Sequence, residues 1–428
     1  MRSFLGFFIG IMLEGMLRSA LILLRTPPFS RSQKIPRTNA NGSGLRVLLT
    51  GRVDSKNWCM AHLVPLTRAS NISELLLVID GNVGDAPKIR RLKVPNAIGW
   101  FKPRAIARSI WAVVVAIREK PDIIMAYSLF PPGLFSLLAA RWTSAVAIVQ
   151  LAGGPPEVES GGYLTDDPFV PQFLVRRLAP LCRRLCSQFD AVVVRGKKGK
   201  EYVHKNVQPP RIEIISASVD PTRFQANDQP RSVDIVFIGR IVSIKQPDHV
   251  CEVVKRVAAK RKGLRVVIAG NGPLLDDMKC RASQMGLQEV MQFAGHVEEV
   301  EKLLTRSRVF LLTSRSEGLS IAMAEAMMAG AVPVVANVGD LSELVVNGMT
   351  GWLIQPGDFD AYAARISELL EHREIWSKLS ANARLAALHN NGVAAITRRW
   401  EDCFETIVKT SNLKSADRAK FSTTPIIP

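Results

Sequence analysis

The segment SRSEGLSIAMAEAMMAG, residues 314–330, places two carboxylates, Glu317 and Glu325, eight positions apart around a turn from strand to helix. The apolar run Val309–Leu312 before it has the length of a strand. After it, residues 321–329 are rich in helix formers, and Gly330 ends them. The pattern predicts a parallel α/β sheet with Glu317 at the carboxyl end of a strand, the edge at which such sheets bind ligands.

The start of this helix offers groups that suit a nucleotide. Unpaired amides of Gly318, Leu319 and Ser320 would favour an anion. Glu325 lies about one turn inside the helix, where its carboxylate could accept hydrogen bonds from both hydroxyls of a ribose. The alternative is that both glutamates are solvated and only complement the helix dipole. These residues alone leave the two interpretations equally open.

Further motifs stand in order around this segment. They are Phe237-Ile238-Gly239-Arg240 with Lys245, Val266 to Pro273, Phe293-Ala294-Gly295-His296-Val297, Gly330 to Ala336 with Val338-Gly339, and Asn347 to Leu353. With them, residues 232–360 resemble the donor domain of the retaining family 4 glycosyltransferases of GT-B fold (glycosyl transferases group 1), which act in polysaccharide and glycolipid biosynthesis. With residues 314–330 these motifs make six elements in the same order as in the family, which argues against a chance match.

The resemblance implies a nucleoside diphosphate sugar as donor substrate. Glu325 would bind the ribose, Glu317 would contact the transferred sugar, and Arg240 with Lys245 would neutralise the diphosphate leaving group. Donor binding is also implied for Gly239, Gly295, His296, Val297, Gly318, Leu319 and Ser320. Fixed cations and helix amides can stabilise a departing diphosphate without a metal, so we expect neither a metal nor a cofactor. The alternative for the two cations is ordinary surface charge.

Two short motifs suggest other chemistry. Asp358-Phe359-Asp360 has the Asp-x-Asp pattern of metal-dependent glycosyltransferases, but it follows Pro356-Gly357 and precedes a helical run, so we interpret it as a helix cap. Gly270-Asn271-Gly272 hints at a dinucleotide fingerprint, yet Leu275 stands where the third glycine should fall. Neither motif changes the prediction.

A chain of 428 residues predicts two domains. We expect the GT-B fold, with two Rossmann-like, doubly wound parallel-sheet domains facing across a cleft. The predicted parts are 1–25, a membrane-anchor candidate; 26–44, a linker; 45–226, the acceptor domain; 227–393, the nucleotide-sugar donor domain; 394–410, a helix returning to the first domain; and 411–428, a flexible tail. The six cysteines are predicted to be core thiols.

The acceptor side is less clearly marked. The family often has a histidine after its fourth main strand, and Ala152 stands at about that position here. In the glycine- and proline-rich segment that follows, Gly153, Gly154, Glu157 and Glu159 are the acceptor-side candidates. The alternative is a plain surface loop.

Positive charge is concentrated in the first half of the chain. Residues 1–226 hold 31 Lys/Arg and 15 Asp/Glu, a net of +16, whereas 227–428 hold 25 and 23, a net of +2. The predicted basic clusters are Arg90, Arg91, Lys93, Lys102, Arg104 and Arg108; Arg176, Arg177, Arg183 and Arg184; and Arg195, Lys197, Lys198 and Lys200. They favour an anionic membrane surface or a polyprenyl diphosphate-linked acceptor over a merely solvated face. Nucleic acid is not expected, since no binding motif is present.

The N-terminus is consistent with a membrane surface. Phe4–Leu24 is mostly apolar but contains Glu14 and Arg18, which would be costly at a bilayer centre unless they pair. A shallow in-plane anchor is therefore predicted, with the protein peripheral at the cytoplasmic face of the plasma membrane.

These observations predict a retaining, metal-independent hexosyltransferase. It would transfer a hexose to a hydroxyl of a lipid-linked or cell-surface polysaccharide acceptor. Two alternatives stay open, a non-catalytic subunit that only binds the sugar nucleotide and a sugar-nucleotide epimerase of the same fold.

Overall fold

A computed structural model describes residues 14–26, 44–51, 56–79, 86–96, 104–151, 154–160, 172–225 and 231–421. The chain divides into two compact units. The N-terminal unit comprises residues 1–216 together with 397–428, and the C-terminal unit comprises residues 217–396. Each unit is built around its own parallel sheet.

The N-terminal unit contains a seven-stranded sheet of order β3-β2-β1-β4-β5-β6-β7 within the described ranges. Its strands are β1 (Leu45–Gly51), β2 (Ile72–Ile79), β3 (Ile89–Arg91), β4 (Ile123–Tyr127), β5 (Val146–Gln150), β6 (Ala191–Val194) and β7 (Ile212–Ile214). Its helices are α1 (residues 14–23), α2 (Lys56–Arg68), α3 (Arg104–Glu119), α4 (Leu134–Thr143), α5 (Pro155–Ser160), α6 (Gln172–Cys186) and α7 (Lys197–Asn206). The central strands are almost wholly apolar because both sheet faces are covered.

The C-terminal unit contains a six-stranded parallel sheet of order β10-β9-β8-β11-β12-β13 in the part of the chain that is described. Its strands are β8 (Val233–Ile238), β9 (Val266–Ala269), β10 (Met291–Gly295), β11 (Ser307–Leu312), β12 (Val332–Ala336) and β13 (Trp352–Ile354). Its helices are α8 (Pro247–Lys260), α9 (Leu275–Gln284), α10 (Val300–Leu304), α11 (Ile321–Met328), α12 (Phe359–Glu371) and α13 (Arg373–Asn391). The strand order reverses between β8 and β11, and ligands of doubly wound sheets bind at such a point.

The predicted fold class is confirmed, since both units are doubly wound α/β structures. Six apolar runs of the first half predict strands, and all six are present as strands: Leu45–Thr50, Leu75–Ile79, Ile123–Tyr127, Ala147–Leu151, Ala191–Val194 and Ile212–Ile215. The edge strand β3 was not predicted, because two of its three residues are the arginines Arg90 and Arg91. Five of the six cysteines are buried free thiols, as expected, whereas Cys280 is exposed and corrects the prediction that all six lie in the core. Burial raises the pKa of Cys182 and Cys186.

The last helix, α14 (Val393–Phe421), begins in the C-terminal unit and continues into the N-terminal one. Thr397 Oγ1 donates to the carbonyl of Pro65 at 3.2 Å, and the Glu401 carboxylate accepts from the amide and hydroxyl of Ser70, both at 2.6 Å. The helix extends past the predicted end at residue 410, because residues 393–421 contain neither glycine nor proline.

Helix α1 covers the described part of the segment 1–25, which was predicted as a membrane-anchor candidate. Leu17, Ala20, Leu21 and Leu24 lie in the hydrophobic core of the N-terminal unit, so this apolar face is covered by the protein's own core. The buried Glu14 carboxylate is neutralised by two guanidinium groups, since Arg18 and Arg177 each bind its Oε1 at 2.9 Å. In the described ranges no helix combines the length and apolar character of a membrane span. Residues 1–13 lie outside those ranges.

The predicted basic clusters are only partly surface charge. Arg90 binds the carboxylates of Glu74 and Glu119, and Arg183 binds Glu159. The side chain of Arg108 is buried. Lys102 lies outside the described residues. Arg90 and Arg183 are therefore neutralised by acidic side chains distant in sequence and contribute less to the surface charge than predicted.

Candidate functional site

The candidate donor site is built from loops at one edge of the C-terminal sheet. Parallel strands β8 to β12 all end at this edge, so the loops that follow them lie side by side. Glycines allow close contact: a Cβ on Gly270 would stand 1.8 Å from the carbonyl oxygen of Gly239, and one on Gly272 would stand 2.2 Å from that of Ile241. The glycines that resembled a partial dinucleotide fingerprint therefore pack one loop against its neighbour.

Glu317 is held in the loop after β11 by contacts with two other loops. Its Oε1 accepts hydrogen bonds from Lys245 Nζ and from Ser314 Oγ, both at 2.5 Å. On the other side, a Cβ on Gly339 would stand 1.7 Å from the Glu317 carbonyl oxygen. Gly339 also has a φ of +55°, which favours glycine. The carboxylate is thus fixed before any ligand binds.

Lys245 is itself anchored by the same loop. Thr313 Oγ1 lies 3.2 Å from the carbonyl oxygens of Lys245 and Gln246. The amide of Arg315 donates to the carbonyl of Ile244 at 2.8 Å. The loops after β8 and β11 therefore behave as one structure, and Lys245 and Glu317 are brought together from positions far apart in the chain.

The predicted anion-binding groups are available at this edge. Arg240 is exposed and forms no ion pair with a described residue. Ser320 caps α11, with its hydroxyl accepting from the amide of Met323 at 3.3 Å. The amides of Gly318 and Leu319 donate to no backbone carbonyl within the described ranges. A cation and free amides at a helix start together suit a phosphate group.

The loop after β10 carries the remaining predicted donor contacts. Gly295 has a φ of +64°, and its carbonyl accepts from the amide of Gly270 at 2.6 Å. His296 is exposed, and Val297 packs on the core of the C-terminal unit. The loop after β10 is thereby fixed to the loop after β9, and His296 faces solvent.

Glu325 differs from Glu317 because it has no hydrogen-bond partner among the described residues. It lies in α11 and is 8% exposed. Burial raises the pKa of its carboxyl group to about 7, while the nearby Arg223 guanidinium opposes the rise and Glu301 adds to it. Hydrogen-bond donors from a ligand, such as two hydroxyls, would stabilise the ionised form.

The acceptor-side candidates belong to the N-terminal unit and have different environments. Glu159 is bound by Arg183 Nη2 at 2.7 and 2.9 Å, which makes an ion pair with α6, and its role as an acceptor-side contact stays a prediction. Glu157 is buried. Gly154 precedes α5 with a φ of +74°, and Gly153 and Ala152 lie outside the described residues.

The Asp-x-Asp motif is used locally, as the helix-cap interpretation predicts. Asp358 caps α12 by accepting from the amide of Ala361 at 3.0 Å. Asp360 binds Arg256 Nε at 2.9 Å.

Two residues of the site were not anticipated as partners of Glu317, namely Ser314 and Gly339. A serine three positions before the glutamate was the only signal for the first.

The two parallel sheets have the GT-B fold, and solved structures show the same architecture. HepE of Anabaena, crystallised in complex with UDP, aligns with a TM-score of 0.67 at 15% identity, over 85% of this chain and 100% of that one. Sucrose-phosphate synthase of Thermosynechococcus elongatus gives 0.68 at 15% identity, over 86% and 100%. Residues 219–386 match the family model of glycosyl transferases group 1, so the C-terminal unit is a glycosyltransferase domain of that group.

Curated relatives carry related names. A D-inositol 3-phosphate glycosyltransferase of Mycobacterium ulcerans is 30% identical over 63% of this chain and 58% of its own length. An exopolysaccharide phosphotransferase of Streptomyces coelicolor is 25% identical over 67% of this chain and 29% of its own. The chain therefore spans about half or less of the length of these relatives.

Proposed function

We propose that this protein is a retaining glycosyltransferase that moves a hexose from a nucleoside diphosphate sugar to a hydroxyl of a lipid-linked or cell-surface glycan. The observation that carries the proposal is the contact between Lys245 and Glu317 beside the start of α11. It places a cation, a carboxylate and free amides within one loop cluster. The complexes of Anabaena HepE with UDP and with UDP-glucose support a nucleotide sugar as donor.

The proposed reaction uses electrostatic stabilisation rather than an enzymic nucleophile. The bond between the anomeric carbon and the β-phosphate oxygen breaks, and a bond to the acceptor oxygen forms on the same face. The acceptor proton passes to the departing diphosphate. Arg240, Lys245 and the amides at the start of α11 stabilise the charge on that diphosphate. Lys245 exchanges its bond with Glu317 for one with phosphate, and the released carboxylate accepts from sugar hydroxyls.

Glu325 would bind the ribose of the donor. Its carboxylate has no other hydrogen-bond donor among the described residues, and a diol supplies two. We propose that the reaction needs no metal, because the cations and amides already offset the diphosphate charge. Transfer measured with and without EDTA tests this point, and loss of activity on chelation would contradict it.

The donor assignment is tested by thermal shift with UDP-, GDP- and ADP-sugars, followed by transfer assays with the sugar that binds. A bound donor raises the melting temperature by mass action. Arg240→Ala and Glu325→Gln should weaken the shift, whereas Lys255→Ala, which removes an exposed cation of α8, should not. Binding without transfer or hydrolysis would favour a binding subunit, and conversion of donor without acceptor would favour an epimerase.

The cellular location is also part of the proposal. A peripheral position at the cytoplasmic membrane face is supported by the net charge of +16 in residues 1–226, derived above from 31 basic and 15 acidic residues. Part of this charge is paired internally, so the exposed residues Arg176 and Arg184 of α6 would carry the contact with lipid. Flotation with anionic vesicles tests it, and equal flotation with neutral vesicles would contradict it.

A further inference from the structure

Three rings meet between α2 and the sheet of the N-terminal unit. The centroids of Trp58 and His62 are 4.4 Å apart, those of Trp58 and Tyr127 are 4.6 Å apart, and those of His62 and Tyr127 are 5.2 Å apart. His62 and Tyr127 are each 3% exposed, whereas Trp58 is only half-buried. The cluster therefore reaches from the interior to the surface through the indole ring.

Polar atoms in this cluster lack partners. His62 Nε2 and Tyr127 Oη are buried and form no hydrogen bond with a described residue. Gln150 Oε1 is also buried and forms no hydrogen bond with a described residue. The amide nitrogen of the same side chain does have a partner, since it donates to the carbonyl of Ile215 at 3.3 Å. Buried polar side-chain atoms are normally hydrogen-bonded, so three such atoms on neighbouring side chains are candidates for contacts with a ligand.

The sheet brings two of these side chains to one place. Tyr127 and Gln150 are the last residues of β4 and β5 and are paired in register. Paired residues of parallel neighbours project from the same face. On β1, Gly51 is paired with Tyr127, and a Cβ there would stand 2.8 Å from the Tyr127 Cβ. The cluster thus lies at the carboxyl edge of the sheet, where α/β proteins bind ligands.

The chemistry of the three atoms selects a class of ligand. Gln150 Oε1 can only accept a hydrogen bond, Tyr127 Oη can donate or accept, and a neutral imidazole nitrogen does one or the other. Burial and the nearby Arg195 charge lower the pKa of His62 well below its usual value, which keeps the ring neutral. A phosphate offers acceptors only and would repel Gln150 Oε1, whereas hydroxyl groups both donate and accept.

We propose that the cluster of Trp58, His62, Tyr127 and Gln150 binds a hydroxyl-bearing ring, a sugar or cyclic polyol, of the acceptor. The half-buried indole stacks on the C–H face of the ring, and the three polar atoms bind its hydroxyls. This inference rests on the proposed glycosyltransferase function and names the chemistry of the second substrate. The ring is either free or the head group of a lipid, and both sources share the same recognition chemistry.

Isothermal titration of the full chain with myo-inositol, glucose and mannose tests binding of a free ring, and vesicles of phosphatidylinositol against phosphatidylcholine test a head group. Tyr127→Phe removes one unpartnered oxygen and leaves the ring. We expect it to weaken binding by about tenfold, with the melting temperature unchanged or raised. His62→Phe should do the same.

Tyr202→Phe is the matched control, because it removes another buried, unpartnered tyrosine oxygen of the same unit outside the cluster. It should leave ring binding unchanged. Binding equal to wild type in Tyr127→Phe and His62→Phe, as expected if the atoms hold water only, overturns the inference. So does the absence of binding to every ring and vesicle tested.

Measurements of donor binding distinguish failure of the acceptor inference from failure of the proposed function. The thermal shift with nucleotide sugars is measured on the same variants and should be unaffected by Tyr127→Phe. Absence of any donor shift in wild type would contradict the glycosyltransferase proposal. A normal donor shift with unchanged ring affinity in the variants would contradict the acceptor inference alone.

Discussion

Lys245 Nζ donates a hydrogen bond to Glu317 Oε1 at 2.5 Å, and the two residues are 72 positions apart in the chain. The pair is largely shielded from solvent, with side chains 17% and 10% exposed. The lysine is thus held beside the carboxylate in a preorganised position. In the proposed reaction Lys245 would stabilise the departing diphosphate from there.

Replacing Lys245 should therefore impair catalysis more than folding. We expect Lys245→Ala to lower kcat by about 100- to 1000-fold, since one fixed group that stabilises developing charge is typically worth this much. Steady-state transfer assays measure it. Lys255→Ala serves as the control for loss of a cation, and equal kcat values in the two variants would contradict the role of Lys245.

Gly339→Ala should displace Glu317. The new Cβ would stand 1.7 Å from the Glu317 carbonyl oxygen, so the loop that carries the carboxylate must move. Misplacing a catalytic group by about 1 Å costs about 100-fold in rate, and we expect a loss of this order. Gly263→Ala is the matched control, because its φ of +73° is similar and nothing lies within 4 Å of its Cβ. Similar activity loss in both variants would show that backbone strain alone is responsible.

Glu325 should make both stability and donor affinity depend on pH. Its folded-state pKa of about 7 lies above the ordinary value of 4.5, so the folded protein holds this proton more tightly than the unfolded chain. Stability is therefore unaffected below about pH 4.5 and falls as pH rises toward 7, by roughly 3 kcal/mol in total. Urea unfolding at several pH values, compared with Glu325→Gln, measures the effect.

The same titration should act on donor binding in the opposite direction. Hydroxyls of the ribose bind the ionised carboxylate better, so donor affinity rises with pH through about pH 7. Glu325→Gln should remove this dependence and should be the more stable protein at about pH 8 in the absence of donor. Parallel pH profiles for wild type and Glu325→Gln would disprove the assignment.

Arg231 should be important for the stability of the C-terminal unit. Its guanidinium donates to the carbonyls of Ser307 and, at 2.7 Å, Ala329, and it lies 5.0 Å from the ring centroid of Trp376. Burial lowers the pKa of the group to about 10. Arg231→Met would leave buried carbonyls unsatisfied and cost roughly 3 kcal/mol.

Urea unfolding of Arg231→Met measures this cost. Arg306→Met is the control, because Arg306 is exposed and forms no ion pair with a described residue. An equal urea midpoint for the two variants would mean that water satisfies the carbonyls of Ser307 and Ala329.

Much of the fold could be predicted because the buried strands are continuous apolar runs. Strand β4, Ile123–Tyr127, was predicted with its observed bounds for this reason. Strand β3 could not be predicted in this way, because Arg90 lies at the edge of the sheet, where its long side chain reaches Glu74 and Glu119. A strand of three residues has too little pattern to compete with its charge.

The candidate site was predictable to the extent that it follows the strand ends. Glu317 and Glu325 lie close together in the sequence, and the helix start between them is visible there. Ser314 was missed because a serine at a strand end has many uses, and only the folded loop shows its hydroxyl on Glu317. His62 and Tyr127 are brought together by packing of α2 on the sheet, which no local pattern reports.

The N-terminal segment shows what a sequence pattern leaves out. A shallow anchor was predicted there because Glu14 and Arg18 would be costly at a bilayer centre. The fold supplies Arg177 from α6 as a counter-charge, and the apolar face then packs on the protein core. Sequence gives the charge of Glu14 but not the partner that neutralises it.

The chain passes between its two units twice, before Ala217 and after Ile396. These passages are neighbours, since the amide of Val219 donates to the carbonyl of Asn391 at 2.7 Å and Val219 is bridged to Gly392. The C-terminal unit is therefore a continuous insert whose ends leave from adjacent points. Its residues can be excised as one piece without cutting either sheet, whereas removing the final helix would take part of the first unit with it.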